Sequence, residues 1–103
     1  MRFSYNKILS FEYNYQGKYD QALEYYQKAL AIRLKKLGAD HPHVAMSYLN
    51  IGLVYALQEK LTEAESSMQR AVDIARKTSS EQHPDTQKCI QLLKLIREKK
   101  NKK

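Results

Sequence analysis

The sequence is poor in helix-breaking residues and in cysteine. Its 103 residues include only 3 glycines and 2 prolines, which favours a helical protein over an all-β one. A chain of this length allows one domain with a modest core. The single cysteine, Cys89, excludes an internal disulfide, so a reducing, cytoplasmic setting is the expectation.

Long apolar runs are also missing. Residues 1–11 lack the apolar stretch of a signal peptide. The uncharged stretch 41–58 has an apolar part shorter than the ~20 residues that a bilayer requires, and Ser47 and Asn50 interrupt it. No membrane partner is therefore expected.

Motifs for catalysis and for metal binding are absent as well. The sequence has no glycine-rich phosphate loop, and no nucleophile is paired with a base in a recognisable frame. His41, His43, His83 and Cys89 do not form a Cys-x-x-Cys or His-x-x-x-His pattern. We expect a protein that is not an enzyme and holds no metal or cofactor, with Cys89 as a buried, inert thiol.

Positive charge is concentrated at the C-terminus. Residues 97–103, REKKNKK, carry five basic residues and one acid, a balance of +4 that leaves +3 of the total +7 to the rest of the chain. No glycine-rich or aromatic RNA-binding signature accompanies this run. The expectation is a frayed, solvated tail rather than a nucleic-acid contact.

An internal repeat of 42 residues organises the chain. Residues 17–45 align with residues 59–87 at eight identical positions of 29, and these positions fall at helical spacing. The identical pairs are Lys18 with Lys60, Ala22 with Ala64, Gln27 with Gln69, Ala29 with Ala71, Ile32 with Ile74, Lys35 with Lys77, His41 with His83 and Pro42 with Pro84. A fixed period of this size indicates stacked supersecondary units.

Each unit is predicted to contain two helices, which gives five antiparallel helices over the whole chain. The stretch 42–57 is the predicted central helix, because it is apolar on two faces. Gly52 within it indicates a close helix–helix approach. Pro42 and Pro84 suit the first turns of their helices, and the last helix is predicted to run to about Arg97.

The intervening helices carry their own boundary signals. Asp20 and Thr62 are their predicted N-caps, and Thr62 with Glu65 makes a capping box. The helix that starts near Asp20 is predicted to end at about Lys36, with Gly38 just beyond it.

Residues 17–32 resemble the second helix of a tetratricopeptide repeat. The positions that match this family's pattern are Gly17, Tyr19, Ala22, Tyr26 and Ala29, then Tyr48, Ile51, Gly52 and Tyr55, and then Leu61, Ala64, Met68 and Ala71. The 42-residue spacing is similar to the longer repeats of kinesin light chains. The resemblance implies an all-α protein, a right-handed α-solenoid of antiparallel helix pairs. Its single domain, 1–103, would comprise repeat 1 at 1–44, repeat 2 at 45–86, and a terminating helix with a basic tail at 87–103.

Two departures from the family pattern affect the ends of the stack. Asn6 and Ser10 stand where a bulky and a small residue are expected, which predicts a bulged or loosened first helix. Lys94 and Arg97 replace the small and aromatic residues that would meet a following helix, so the last helix is predicted to terminate the stack.

The resemblance also implies a function, which is protein–protein interaction through a concave groove made by the first helix of each unit. Carried over residue by residue, the groove would be lined by Lys7, Phe11, Asn14, Met46, Leu49, Asn50, Leu53, Lys88, Gln91 and Leu95. Its apolar members would form a nearly continuous stripe with lysines at the ends. The expected ligand is an acidic and apolar peptide segment of a protein partner.

Two alternatives concern how a partner binds. Some family members clamp an acidic C-terminal peptide with five Lys, Asn and Arg residues, but here Phe11 and Leu92 stand at two of those places. A self-associating scaffold unit is the other alternative, because repeat stacks generally need about three units and this chain has two and a half. Its homodimer would form through the groove or through exchanged helices.

Tyrosines cluster in the N-terminal part of the chain, where six of the eight lie between Tyr5 and Tyr26. Tyr19 and Tyr26 occupy motif positions, which favours packing between helices. An exposed Tyr5, Tyr15 or Tyr25 would instead anchor a partner.

Overall fold

Four α-helices make up the part of the chain that the structure describes. The computed structural model describes residues 16–102, and within this range it contains α1 (Gln16–Leu37), α2 (Pro42–Leu57), α3 (Leu61–Thr78) and α4 (Pro84–Asn101), with no strand. Each helix packs against the next one along the chain. This antiparallel stack confirms the predicted all-α solenoid. The first predicted helix, with Asn6 and Ser10, lies outside the described residues.

The two His-Pro turns begin α2 and α4 in the same way. The backbone N–H of His43 donates a 3.0 Å hydrogen bond to Nδ1 of His41, and the N–H of Asp85 donates a 3.1 Å bond to Nδ1 of His83. Each histidine is therefore an N-cap, and the proline after it lies in the first turn, where its missing N–H costs nothing. The predicted helix starts at Pro42 and Pro84 are confirmed.

The two other predicted N-caps are wrong. Helix α1 begins at Gln16, so Asp20 lies inside it, where its carboxylate accepts a 2.8 Å hydrogen bond from Nε2 of Gln58. The N-cap of α3 is Lys60, which makes no side-chain capping bond, and Thr62 is already helical.

The turn between α2 and α3 explains why Thr62 caps nothing. The N–H of Glu59 donates to the carbonyl of Ala56 (2.9 Å) and the N–H of Lys60 to the carbonyl of Tyr55 (2.8 Å), which is the hydrogen-bond pattern of a Schellman motif. Glu59 takes the left-handed position of this motif, with φ of 64°. The motif leads directly into Leu61, so no spacer remains in which Thr62 could precede the helix.

Helix α1 ends with a conformation that glycine favours. It runs one residue past the predicted Lys36, to Leu37, and Gly38 follows with φ of +86°. The N–H of Gly38 donates to the carbonyl of Leu34 and satisfies one of the last carbonyls of the helix.

The core lies between α2, α3 and α4. Its buried residues are Val44, Ala45, Leu49, Leu61, Ala64, Met68, Ala71, Val72, Ile74, Ala75, Cys89, Leu93 and Ile96. A Cβ on Gly52 would lie 2.7 Å from Cγ of Met68 and 3.3 Å from the carbonyl oxygen of Ala64. The predicted close approach of α2 and α3 at Gly52 is therefore confirmed. Ala64 and Ala71 are both fully buried.

Candidate protein-interaction surface

Three of the predicted groove residues lie on one face of α2. Met46, Asn50 and Leu53 are all half-buried and are spaced by four and three residues, so they form one line along the helix. Met46 and Leu53 pack against the core and leave the rest of their side chains accessible. This line can therefore contact a ligand while it rests on the core.

The prediction that Leu49 lines the groove is wrong. Its side chain is 0% exposed and belongs to the core, so it has no surface to offer a ligand. At 100° per residue Leu49 points about 60° away from the direction of Met46, on a side of α2 that packs against the core. The predicted apolar stripe is interrupted at this position.

Leu57 was not among the predicted groove residues, and it extends the line to the C-terminal end of α2. It lies four residues after Leu53, at the last position of α2, and is 48% exposed. Its spacing from Leu53 was the available signal. We call the line Met46, Asn50, Leu53 and Leu57 the α2 ridge.

The predicted groove residues of α4 are all exposed. Lys88, Gln91 and Leu95 follow one another at spacings of three and four residues, and Leu95 is 58% exposed. They lie 42 residues after Met46, Leu49 and Leu53, so they hold the same positions in the repeat. Equivalent positions of consecutive first helices are expected to face the same side of a stack, so Lys88 and Leu95 are predicted to share a side with Met46 and Leu53.

Leu92 stands at one of the positions of the peptide-clamp alternative, and it is half-buried against the core. Its aliphatic side chain cannot donate a hydrogen bond to a carboxylate. The described residues therefore lack a complete clamp.

The basic C-terminal run is engaged by acidic residues, so the prediction of a frayed tail is wrong for residues 97–101, which are helical. Nε of Arg97 donates to Oε2 of Glu65 at 2.8 Å, and Nζ of Lys100 donates to Oε1 of the same carboxylate at 2.6 Å. Lys99 forms a longer ion pair with Glu59, at 3.8 Å. These contacts fix the last turns of α4 to α3 and to the turn after α2.

The carboxylate of Glu65 is held in its charged form. Its hydrogen bonds to Lys100 and then to Arg97 lower its pKa, and this effect outweighs partial burial, which acts in the opposite direction. The ion pairs also neutralise part of the basic run, which reduces the charge that it could offer to a nucleic acid.

Lysines without an acidic partner in the described chain remain on the exposed side of α4. Lys88 and Lys102 lie seven residues on either side of Leu95, and since seven residues are close to two turns, the three side chains form a line. We call Lys88, Gln91, Leu95 and Lys102 the α4 line. It is basic at both ends and apolar at its centre.

The N-terminal third of the predicted groove, Lys7, Phe11 and Asn14, lies outside the described residues, as do Tyr5 and Tyr15. Among the described tyrosines, Tyr19 is buried and Tyr26 half-buried, in agreement with a packing role. Tyr25 is 68% exposed and touches Tyr26 edge to face, with ring centroids 5.7 Å apart.

Cys89 was the candidate nucleophile, and His41 and His83 were candidate metal ligands; the structure gives each of them a packing or capping contact. Burial raises the pKa of the Cys89 thiol, and the charge of Asp85 adds to this effect. The predicted burial of this thiol is confirmed. Nδ1 of His41 and of His83 accepts a capping bond. Within residues 16–102, no three His, Cys, Asp or Glu residues are grouped so that they could hold a metal. In the same range, no helix is long and apolar enough to cross a membrane.

The helices form an antiparallel stack with a 42-residue period, and small residues allow neighbouring helices to approach closely. These features define an α-helical repeat protein. Residues 5–77 match the family model described as "Tetratricopeptide repeat". This match covers more than half of the sequence, and the chain belongs to the tetratricopeptide repeat family. The family generally mediates protein–protein interaction and its fold is non-catalytic. A search of the curated proteins finds no match to this chain.

Proposed function

We propose that this protein captures a peptide segment of a protein partner on the surface formed by the α2 ridge and the α4 line. The observation that carries the proposal is the exposure of Leu57 and Leu95, which are 48% and 58% accessible. Apolar residues grouped on a surface generally mark interaction sites. The chain belongs to a family whose members generally bind proteins.

The polar residues of this surface suit an acidic and apolar segment. The amide of Asn50 lies within the apolar α2 ridge and can pair with one polar group of a ligand. Lys88 and Lys102 attract carboxylates, and such rim charges act mainly on association rate and specificity.

The proposal is tested by partner capture with matched leucine variants. Leu57→Glu places a charge on the α2 ridge, and Leu37→Glu makes the same change at the last position of α1, where Leu37 is 41% exposed. We expect Leu57→Glu to abolish recovery of partners in a pull-down read by mass spectrometry. Leu37→Glu should leave recovery unchanged, and both variants should keep the far-ultraviolet circular dichroism of the wild type.

Two further variants test the predicted groove residues directly. Leu53→Glu should abolish capture, and Lys88→Glu should weaken the capture of acidic segments. If both variants recover the same partners as the wild type, this surface is not the binding site.

Self-association is the alternative occupant of the same surface. A second copy would cover Leu57 and Leu95 in a homodimer, which would make the protein a structural scaffold unit. Light scattering over a range of concentrations distinguishes the two, because a dimer must dissociate in the Leu57→Glu variant. A monomer at the highest concentration, without precipitation, argues against the dimer.

A further inference from the structure

We infer that α4 opens from the stack as a unit while α2 and α3 stay packed, and that the carboxylate of Glu65 controls this opening. The inference does not depend on the proposed function. Helices α2 and α3 meet closely at Gly52, whereas the contacts that hold the two halves of α4 differ in kind. Residues 79–83 join α3 to α4 outside either helix and would act as the hinge.

The C-terminal half of α4 is held through one carboxylate of α3. Oε2 of Glu65 accepts a 2.8 Å hydrogen bond from Nε of Arg97, and Oε1 accepts a 2.6 Å bond from Nζ of Lys100. Nη2 of Arg97 also donates to Oε1 of Gln69, one turn further along α3, at 2.6 Å. The side chain of Glu65 is only 25% exposed, so these pairs are screened less than fully exposed ones. A single proton on Glu65 would therefore weaken two contacts between α3 and α4.

The N-terminal half of α4 lacks a polar link that the preceding interface has. Nη1 of Arg33 on α1 donates a 2.6 Å hydrogen bond to Oγ of Ser47 on α2, and Ser47 is buried. The positions 42 residues later hold Ala75 on α3 and Cys89 on α4. Alanine has no hydrogen-bonding side chain, and a thiol is only a weak donor and acceptor. These positions therefore cannot reproduce the bond that fastens α2 to α1.

Thr86 opposes the docking of α4. It lies in the first turn of the helix and is fully buried, and its Oγ1 has no hydrogen-bond partner among the described residues. A hydroxyl buried without a partner costs free energy, which is regained when the helix opens to water. Val44 holds the equivalent position 42 residues earlier and is also fully buried, so this place in the repeat accepts an apolar side chain.

Acidification should favour the open form. Hydrogen bonds from Lys100 and Arg97 lower the pKa of Glu65. A carboxylate of this kind stabilises the folded contact above the ordinary pKa of a glutamate, and the contribution is lost as the pH falls through the folded-state pKa. The other charged groups around this contact are Lys99 of α4, Lys60 before α3, Glu63, Arg70 and Asp73 of α3, and Glu59 in the turn after α2.

Hydrogen exchange of the backbone amides, measured residue by residue by nuclear magnetic resonance on the full-length protein, tests the inference. In the wild type we expect the slowest amides of α4, such as those of Cys89 and Leu93, to share one protection factor. This factor should be roughly tenfold or more below that of the slowest amides of α2 and α3, such as those of Leu49 and Met68.

Three variants test the control by Glu65. Glu65→Gln should lower the protection of α4 at neutral pH by roughly three- to tenfold. Glu63→Gln is the matched control, because Glu63 lies on the same helix and takes part in none of the ion pairs of the described chain, so it should leave this protection unchanged. Thr86→Val should raise the protection of α4. On acidification the difference between the wild type and Glu65→Gln should disappear.

Other outcomes overturn the inference. Equal protection of α4, α2 and α3 in the wild type would show that α4 separates only in global unfolding. If Glu65→Gln leaves the protection of α4 unchanged, or changes it no more than Glu63→Gln does, Glu65 does not control the opening. A fall in protection with Thr86→Val would show that the hydroxyl supports docking instead of opposing it.

Discussion

Gly52→Ala is the substitution for which the structure gives the sharpest expectation. In a helix interior, alanine is favoured over glycine by about 1 kcal/mol, so the change would stabilise an isolated α2. In the folded protein the new methyl group would lie 2.7 Å from Cγ of Met68 and 3.3 Å from the carbonyl oxygen of Ala64. Met68 is fully buried, so its side chain has little free space into which to move.

The expected net effect is a loss of stability. Overpacking of a filled core costs about 1–3 kcal/mol, and the gain in helix propensity offsets about 1 kcal/mol of it. We therefore expect the free energy of unfolding to fall by about 1 kcal/mol. For a domain of this size the melting temperature should drop by roughly 4–8 °C.

Gly17→Ala is the matched control, because no heavy atom lies within 4 Å of the position that its Cβ would take. Urea unfolding followed by circular dichroism should show that this variant is as stable as the wild type or slightly more stable. Met68→Ala removes the side chain that the new methyl group would meet, so adding Gly52→Ala in that background should cost much less than it costs alone. If Gly52→Ala stabilises the wild type as much as Gly17→Ala does, the close approach of α2 and α3 is refuted.

The remaining predictions concern packing, charge, capping and the basic run. Ala64→Leu should lower the free energy of unfolding by about 1–3 kcal/mol, since Ala64 is fully buried, and an unchanged melting temperature would contradict the repeat packing. Because the pKa of Glu65 is lowered in the folded protein, its ion pairs contribute stability at pH values above the ordinary pKa of a glutamate, and this contribution disappears as the pH falls through the folded-state pKa. The stability difference between the wild type and Glu65→Gln, measured by urea unfolding, should therefore shrink on acidification, and a constant difference would contradict the ion pairs. His83→Ala should cost about 0.5–2 kcal/mol in thermal unfolding while His83→Asn, another N-cap, keeps most of that stability; equal losses would argue against the cap. We expect no gel shift of RNA or DNA even at low salt, either with the wild type or after deletion of residues 97–103. A salt-dependent shift that the deletion abolishes would support the nucleic-acid alternative.

The sequence predicted the parts of the fold that short-range chemistry determines. Proline has no backbone N–H and suits only the first turn of a helix, so the starts at Pro42 and Pro84 were predictable. Glycine has no side chain, so Gly52 indicated a close contact before its neighbours were known. Burial of Cys89 followed from its place among apolar residues at helical spacing.

Features that depend on the exact direction of a turn or a side chain were missed. The N-cap prediction at Thr62 failed because a Schellman motif centred on Glu59, rather than a glycine, leads straight into α3. Leu49 was assigned to the groove from its motif position, but it packs into the core, whereas Gln91 at the equivalent position of α4 is exposed. The ion pairs of Glu65 join residues more than 30 positions apart, and pairing over such a distance has no local signal in the sequence.

The burial of Cys89 makes the chain's one thiol a chemical reporter of how often α4 separates from the rest of the stack. The side chain is fully enclosed, so a thiol reagent can react with it only during transient opening. When closing is fast, the labelling rate is the rate of an exposed thiol multiplied by the fraction of time that the helix is open. Comparing the labelling rates with and without a bound peptide would then measure how strongly a partner holds α4 in place, with the native cysteine and without any engineered probe.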